Sequence, residues 1–182
     1  MAKSIGGDSI LAYTAVSTRE SCGVMQRILG IDPGSRITGY GVIDAAHGKV
    51  AFVSCGVIKT TAGFPLANRL NEIFEGINEV IQVHGPEVAA VEEVFMSTNA
   101  NSALKLGQAR GAAVVAAMQN GLSVYDYSAK KVKRAVVGYG QAEKGQVQHM
   151  IRMLLGLSAT PSSDAADGLA MAICHANLQA FN

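Results

Sequence analysis

The chain has no thiol framework, no soft-metal site and no bilayer anchor. Its three cysteines, Cys22, Cys55 and Cys174, are odd in number and widely spaced. They fit neither a disulfide scaffold nor a zinc-ligand pattern, so the reducing cytosol is the expected compartment. The four histidines are scattered and make no ligand spacing either. No apolar run is long enough to span a bilayer. Charge is scarce, at 16% of residues with a net of +1, which taken whole argues against a polyanionic partner. Residues 1–24 lack clear periodicity, and Lys3 with the weak apolar piece Ile10 to Val16 makes a poor signal peptide. They read as an extension or an upstream start before Met25, leaving residues 25–182 as the domain.

What is present is a core. Apolar residues make up 49% of 182 positions, enough for one domain with a buried interior. The charges are also unevenly placed. From Leu66 to Val94 six acids stand against the single base Arg69. From Leu104 to Arg152 the bases Lys105, Arg110, Lys130, Lys131, Lys133, Arg134, Lys144 and Arg152 face only Asp126 and Glu143. Acidic spots beside a basic half fit a metal site next to a phosphate-binding face, although a solvated surface with chance asymmetry has the same composition.

The stretch Arg27 to Ile43 (RILGIDPGSRITGYGVI) organises the rest. An apolar run delivers one carboxylate, Asp32, to its end. Pro33, Gly34 and Gly39 turn the backbone, and Tyr40 to Ile43 run back as a second strand. Taken alone, Asp-Pro-Gly is equally well an ordinary hairpin turn. Lys49 to Thr60 then alternates as a third strand, completing an antiparallel meander.

Leu66, Leu70, Ile73, Phe74, Ile77, Val80 and Ile81 form a stripe at helical spacing, with Glu72, Glu75 and Glu79 as its wet face. Glu87 to Val94 reads as a short buried strand ending in Glu92-Glu93, of which at most one can share a face with a given site. A helix over 102–119 follows, where Gly107 and Gly111 allow close backbone approach. Leu122 to Tyr127 is the last strand, and Ser128 caps a basic helix through Val137. Ala142 to Leu155 is a helix with the stripe Val147, Met150, Ile151 and Leu154. Ser162 or Ser163 starts a final helix.

This order builds an α/β fold, a mixed five-stranded sheet with helices on both faces. In the last helix Asp164 and Asp167 lie on one face amid Ala165, Ala166, Gly168 and Ala170. Acids near a helix start complement its dipole without further purpose. Two in so apolar a setting, however, need a counter-ion, most simply a metal. Asp32, one acid at the end of the fourth strand and the helical pair can converge. Such an all-carboxylate cluster suits Mg²⁺ or Mn²⁺, two of which can clamp an in-line phosphoryl displacement.

Several stretches resemble one family closely. They are Gly30 to Ser35, Val91-Glu92-Glu93-Val94-Phe95, Asn101 to Gly111 (NSALKLGQARG), Val136 to Met150 (VVGYGQAEKGQVQHM) and Asp164-Ala165-Ala166-Asp167. Together they resemble the RuvC Holliday junction resolvases over residues 27–178. The resemblance implies a ribonuclease H-like fold, a homodimer, and Mg²⁺-dependent nicking of two like-polarity strands at a four-way DNA junction. It also implies a preference for certain short cleavage sequences and partnership with the RuvA–RuvB branch-migration complex.

Carried over, the family's acidic tetrad falls on Asp32, Glu92, Asp164 and Asp167. Glu92 rather than Glu93 takes the role because the family's acid stands three before the phenylalanine matched by Phe95. Lys133 and Lys144 fall on basic positions near the scissile phosphate, and Phe95 on an aromatic presented to a junction base. Arg110, Lys130, Lys131 and Arg134 are further candidates for DNA contact. The helix around Gly107 and Gly111 is one candidate dimer interface. Residues 1–24 have no family counterpart, and no basic tail follows the last helix. Where such a tail adds to DNA affinity, this chain is expected to bind less tightly.

Two rival readings share parts of the pattern. An actin-like nucleotide-binding domain also begins Gly-Ile-Asp, but needs a second similar half. A junction-binding protein without catalysis would not need all four acids.

Overall fold

The computed structural model describes residues 25–94 and 99–179. The elements run β1 (Gln26–Asp32), β2 (Ile37–Ala46), β3 (Lys49–Lys59), α1 (Leu66–His84), β4 (Val88–Glu92), α2 (Ala100–Gln119), β5 (Ser123–Tyr127), α3 (Ala129–Val137), α4 (Lys144–Leu154) and α5 (Ser163–Gln179). The strands form one sheet in the order β3-β2-β1-β4-β5. β1 to β3 pair antiparallel as the expected meander, and β4 and β5 add on in parallel. Helices cover both faces, as the element order requires. Among the described residues no helix is long and apolar enough to cross a membrane.

Strand alternation divides the interior in two. Ile28, Ile43, Val88, Ala90 and Tyr127 face α3, α4 and α5. Leu29, Ile31, Val42, Ala89 and Val91 face α1 and α2. The α1 stripe packs as expected, with Ile73, Ile77, Val80 and Ile81 buried. Its polar face is not only wet, since the Thr61 N–H and hydroxyl donate to Glu72 at 2.8 and 2.7 Å.

Several boundaries move for local reasons. α2 begins before residue 102 because Asn99 is its cap, accepting from the Ser102 N–H at 3.2 Å. α4 begins at Lys144 rather than Ala142, with the Gln146 side chain accepting from the Glu143 N–H at 2.8 Å. Leu154, expected in the α4 stripe, is exposed, and the core there is completed by Leu155 and Leu157 beyond the helix end. β4, Val88–Glu92, is shorter at both ends than the strand expected over Glu87 to Val94, because only Val88 to Val91 are apolar. Ser128 caps α3 as expected, accepting from the Lys131 N–H at 3.4 Å.

The expected close approach at Gly107 and Gly111 is absent within the described chain, where a side chain on either would meet nothing within 4 Å. Close approach occurs instead beneath α5. A methyl group on Gly39 would fall on the Asp164 carbonyl oxygen, and one on Gly30 on the Gly168 carbonyl oxygen. On Gly41 it would lie 2.5 Å from the Leu169 nitrogen, and on Gly168 2.5 Å from the Tyr40 carbonyl carbon. These four glycines let α5 rest on the backbone of β1 and β2.

Candidate active site

β1 carries Asp32 out of the core on the end of a fully buried run, Ile28, Leu29 and Ile31. The loop behind it is locked by Thr38, whose hydroxyl donates to the Gly34 carbonyl at 3.0 Å and accepts from the Gly34 N–H at 3.3 Å. Asp-Pro-Gly is thus the expected turn between β1 and β2. Parallel pairing of Ile31 with Val91 makes Glu92 the next residue beside Asp32, on the same face of the sheet. Glu92 neighbours Asp32 in the ladder and acts on its ionisation, but its carboxylate is not among the acids that cluster closely there. Glu93, the next residue, is exposed, whereas Glu92 is half-buried.

α5 brings the other two acids. Gly39 pairs with Asp32 across β1 and β2, and the backbone of Asp164 sits on Gly39. The helix start is therefore placed over the end of β1. Carboxylate oxygens of Asp32, Asp164 and Asp167 lie within 4.8 Å of one another. Burial pushes Asp32 up to about 8, helped by Glu92 and by the charge of Asp167, and opposed by Lys144. Burial also raises Asp167, against the Lys144 hydrogen bond and charge that lower it. The Lys144 Nζ stands 2.8 Å from the Asp167 Oδ2, with more than half its side chain exposed. Close carboxylates with no histidine or cysteine among them fit a hard divalent cation.

The basic candidates divide. Lys144 touches the cluster, and the charge of Lys133 acts on Asp167. Lys130, Lys131 and Arg134 are exposed on α3, with the Lys131 Nζ 5.2 Å from the centre of the Tyr127 ring. Arg110 is engaged internally. Its Nε donates to the Glu92 carbonyl at 3.1 Å, and its other end pairs with Asp126. It clamps the end of β4 to β5, a role that basic composition alone does not reveal. Phe95 lies outside the described residues. The glycine seat also escapes the sequence reading, although Gly39 and Gly41, two apart on one strand face, signal a backbone neighbour.

Comparison with known proteins identifies the family. The family model for crossover junction endodeoxyribonuclease RuvC matches residues 28–175. The crossover junction endodeoxyribonuclease RuvC of Hahella chejuensis is 55% identical over 155 residues, covering 85% of this chain and 90% of that protein. That of Pseudomonas aeruginosa is 56% identical, covering 85% and 88%. The structure of Thermus thermophilus RuvC in complex with a Holliday junction substrate superposes with a TM-score of 0.80 at 37% identity, covering 86% of this chain and 96% of that one. The yeast mitochondrial Holliday junction resolvase Ydc2 shares the fold, with a TM-score of 0.61 at 16% identity. This chain belongs to the crossover junction endodeoxyribonuclease RuvC family.

Proposed function

We propose that this chain is a Holliday junction resolvase, hydrolysing phosphodiester bonds by paired nicks in strands of like polarity, and that residues 25–182 carry the activity. One observation supports it above all. Carboxylates from a strand end and a helix start, far apart in sequence, meet within 4.8 Å, with Glu92 on the neighbouring strand beside Asp32. Asp32, Glu92, Asp164 and Asp167 would hold two Mg²⁺ ions, with Mn²⁺ as a substitute. Bound there, the ions supply an activated water and stabilise the leaving oxygen. Asp32 must lose its proton to become a ligand, which the positive charge of Lys144 favours. Lys144, exposed and paired to Asp167, is placed to turn to a phosphate once a cation replaces it. Lys133 lies at the same edge, and Lys130, Lys131 and Arg134 extend the basic face along α3. Phe95 is assigned to stacking on an unpaired junction base, by resemblance to the family.

Paired nicks need two sites, hence a homodimer. The open side of α2 suits a second copy. Leu104, Val115 and Met118 are exposed, and with Gly107 and Gly111 they recur every three or four residues along one helix face. The RuvA–RuvB complex is the further partner that the family implies. We place the protein in the cytosol, a compartment in keeping with the free buried thiols of Cys55 and Cys174. The reading is tested by offering the protein a synthetic four-way junction and a linear duplex, each with and without Mg²⁺. Symmetric nicks only in the junction, and only with metal, are expected. Cutting of both DNAs alike, or of neither, overturns it.

A further inference from the structure

α5 touches the sheet in two directional ways. Near its start the glycine seat sets it on β1 and β2. Farther along, His175 is almost wholly buried, and its Nδ1 meets the Tyr127 hydroxyl at 2.8 Å. Tyr127 pairs with Glu92 in the parallel ladder, and its carbonyl accepts from the Glu93 N–H at 3.0 Å. The bond therefore runs from the helix that carries Asp164 and Asp167 to the strand residue beside Glu92. Around it, α5 packs through apolar side chains, which hold a helix down but do little to stop it turning in its plane.

We propose that Tyr127 and His175 are positioning residues for the metal site, setting the angle of α5 so that Asp164 and Asp167 meet Asp32 and Glu92. The assignment rests on the reading of the tetrad as a metal-binding nuclease site. With Gly168 as the pivot, α5 runs about 10 Å on to His175 and about 6 Å back to Asp164. Drift of about 1 Å at His175 thus becomes roughly half that, in the opposite direction, at Asp164. Catalytic constellations tolerate only about 0.5 Å. The bond is also durable. Burial raises the Tyr127 phenol to about 12 and lowers His175, so a neutral phenol and a neutral imidazole face each other at physiological pH. The Tyr125 ring, 4.6 Å from that of His175 between centres, supports the imidazole without being bonded to it.

The test uses the full chain and reads Mn²⁺ binding to the DNA-free protein by calorimetry, then single-turnover nicking of a four-way junction. Tyr127→Phe should weaken Mn²⁺ binding and slow nicking by about tenfold or more each, within the roughly 10- to 100-fold range typical when supporting residues of metal sites are removed. Junction affinity in metal-free buffer should stay within about twofold of the parent's, since it comes from charges on phosphates. Tyr125→Phe should change neither readout. Should Tyr127→Phe fold poorly, His175→Gln, which keeps an acceptor for the hydroxyl, should lose less Mn²⁺ affinity than His175→Leu. A purely structural bond would lower Tm alone. Parental Mn²⁺ binding and nicking in Tyr127→Phe, or equal losses in the two His175 variants, would overturn the assignment. A parent protein that binds no Mn²⁺ would overturn the nuclease reading instead.

Discussion

The two faces of the sheet are covered by different means. α1 and α2 stand on side chains, with Ile73, Ile77, Val80 and Ile81 meeting Leu29, Ile31 and Val42. α5 rests on backbone, with Gly39 against Asp164 and Gly168 against Tyr40 and Gly41. Side-chain packing can absorb a missing methyl group by partial relaxation. A glycine seat cannot absorb an added one, because the neighbours are main-chain atoms with nowhere to rotate. The face that needs only volume uses side chains. The face that bears the acids adds close backbone approach, at the start of α5, to its side-chain packing.

The comparison breaks most sharply at the acids. Asp32→Asn or Asp167→Asn keeps the shape and removes a ligand's charge. Nicking should fall by orders of magnitude, while junction binding without metal survives because Lys and Arg on phosphates supply it. Single-turnover assays beside binding isotherms check this, and nicking of D32N near the parental rate would refute the metal-site assignment.

A smaller effect is expected from the cations at the same edge. Lys133→Ala and Lys144→Ala should each weaken junction binding and flatten its salt dependence, by about one unit of slope for every phosphate left without its cation. If one of them instead acts on chemistry, cleavage at saturating protein falls while affinity holds. An unchanged salt slope together with unchanged cleavage in both variants would place them on plain solvated surface.

Smaller still is the pH effect. The folded protein keeps the Asp32 proton up to about 8, whereas an unfolded carboxyl ionises near 4. The folded state therefore binds the extra proton in that window, and its contribution to stability is lost as pH rises through it. Metal binding needs the ionised form, so the rise in Tm caused by Mg²⁺ should be larger near pH 8 than near pH 6. Thermal scans with and without Mg²⁺ at the two values measure it. An equal rise at both would show that no proton leaves Asp32 on metal binding in this window.

Much of this is legible in the sequence, for physical reasons. The Arg27–Ile43 hairpin, the α1 stripe and the capped basic helix follow from turn chemistry and periodicity. The convergence of Asp32, Asp164 and Asp167 follows from strand ends and helix starts meeting at one edge. Long-range pairings are less legible. The Arg110 clamp and the Tyr127–His175 bond join residues 18 and 48 apart, and no local pattern encodes such distances. Leu154 is misplaced by periodicity, which fixes a helix face but not where the helix leaves the core. Gly107 and Gly111 suggest a close approach that the described chain does not make. Glycine composition says that a backbone can be approached, not what approaches it.

The central claim is that the close seating of α5, rather than overall stability, sets the activity. It is tested by measuring single-turnover junction nicking in Mg²⁺ beside unfolding midpoints for two variants. Ile77→Val, under α1, should lose about 0.5–1.5 kcal/mol of stability and nick at the parental rate. Gly39→Ala, assayed under conditions where it remains folded, should nick at least about 100-fold more slowly, because its methyl group displaces Asp164. Gly39→Ala nicking at the parental rate, or both variants slowing in proportion to their lower stability, would contradict the account.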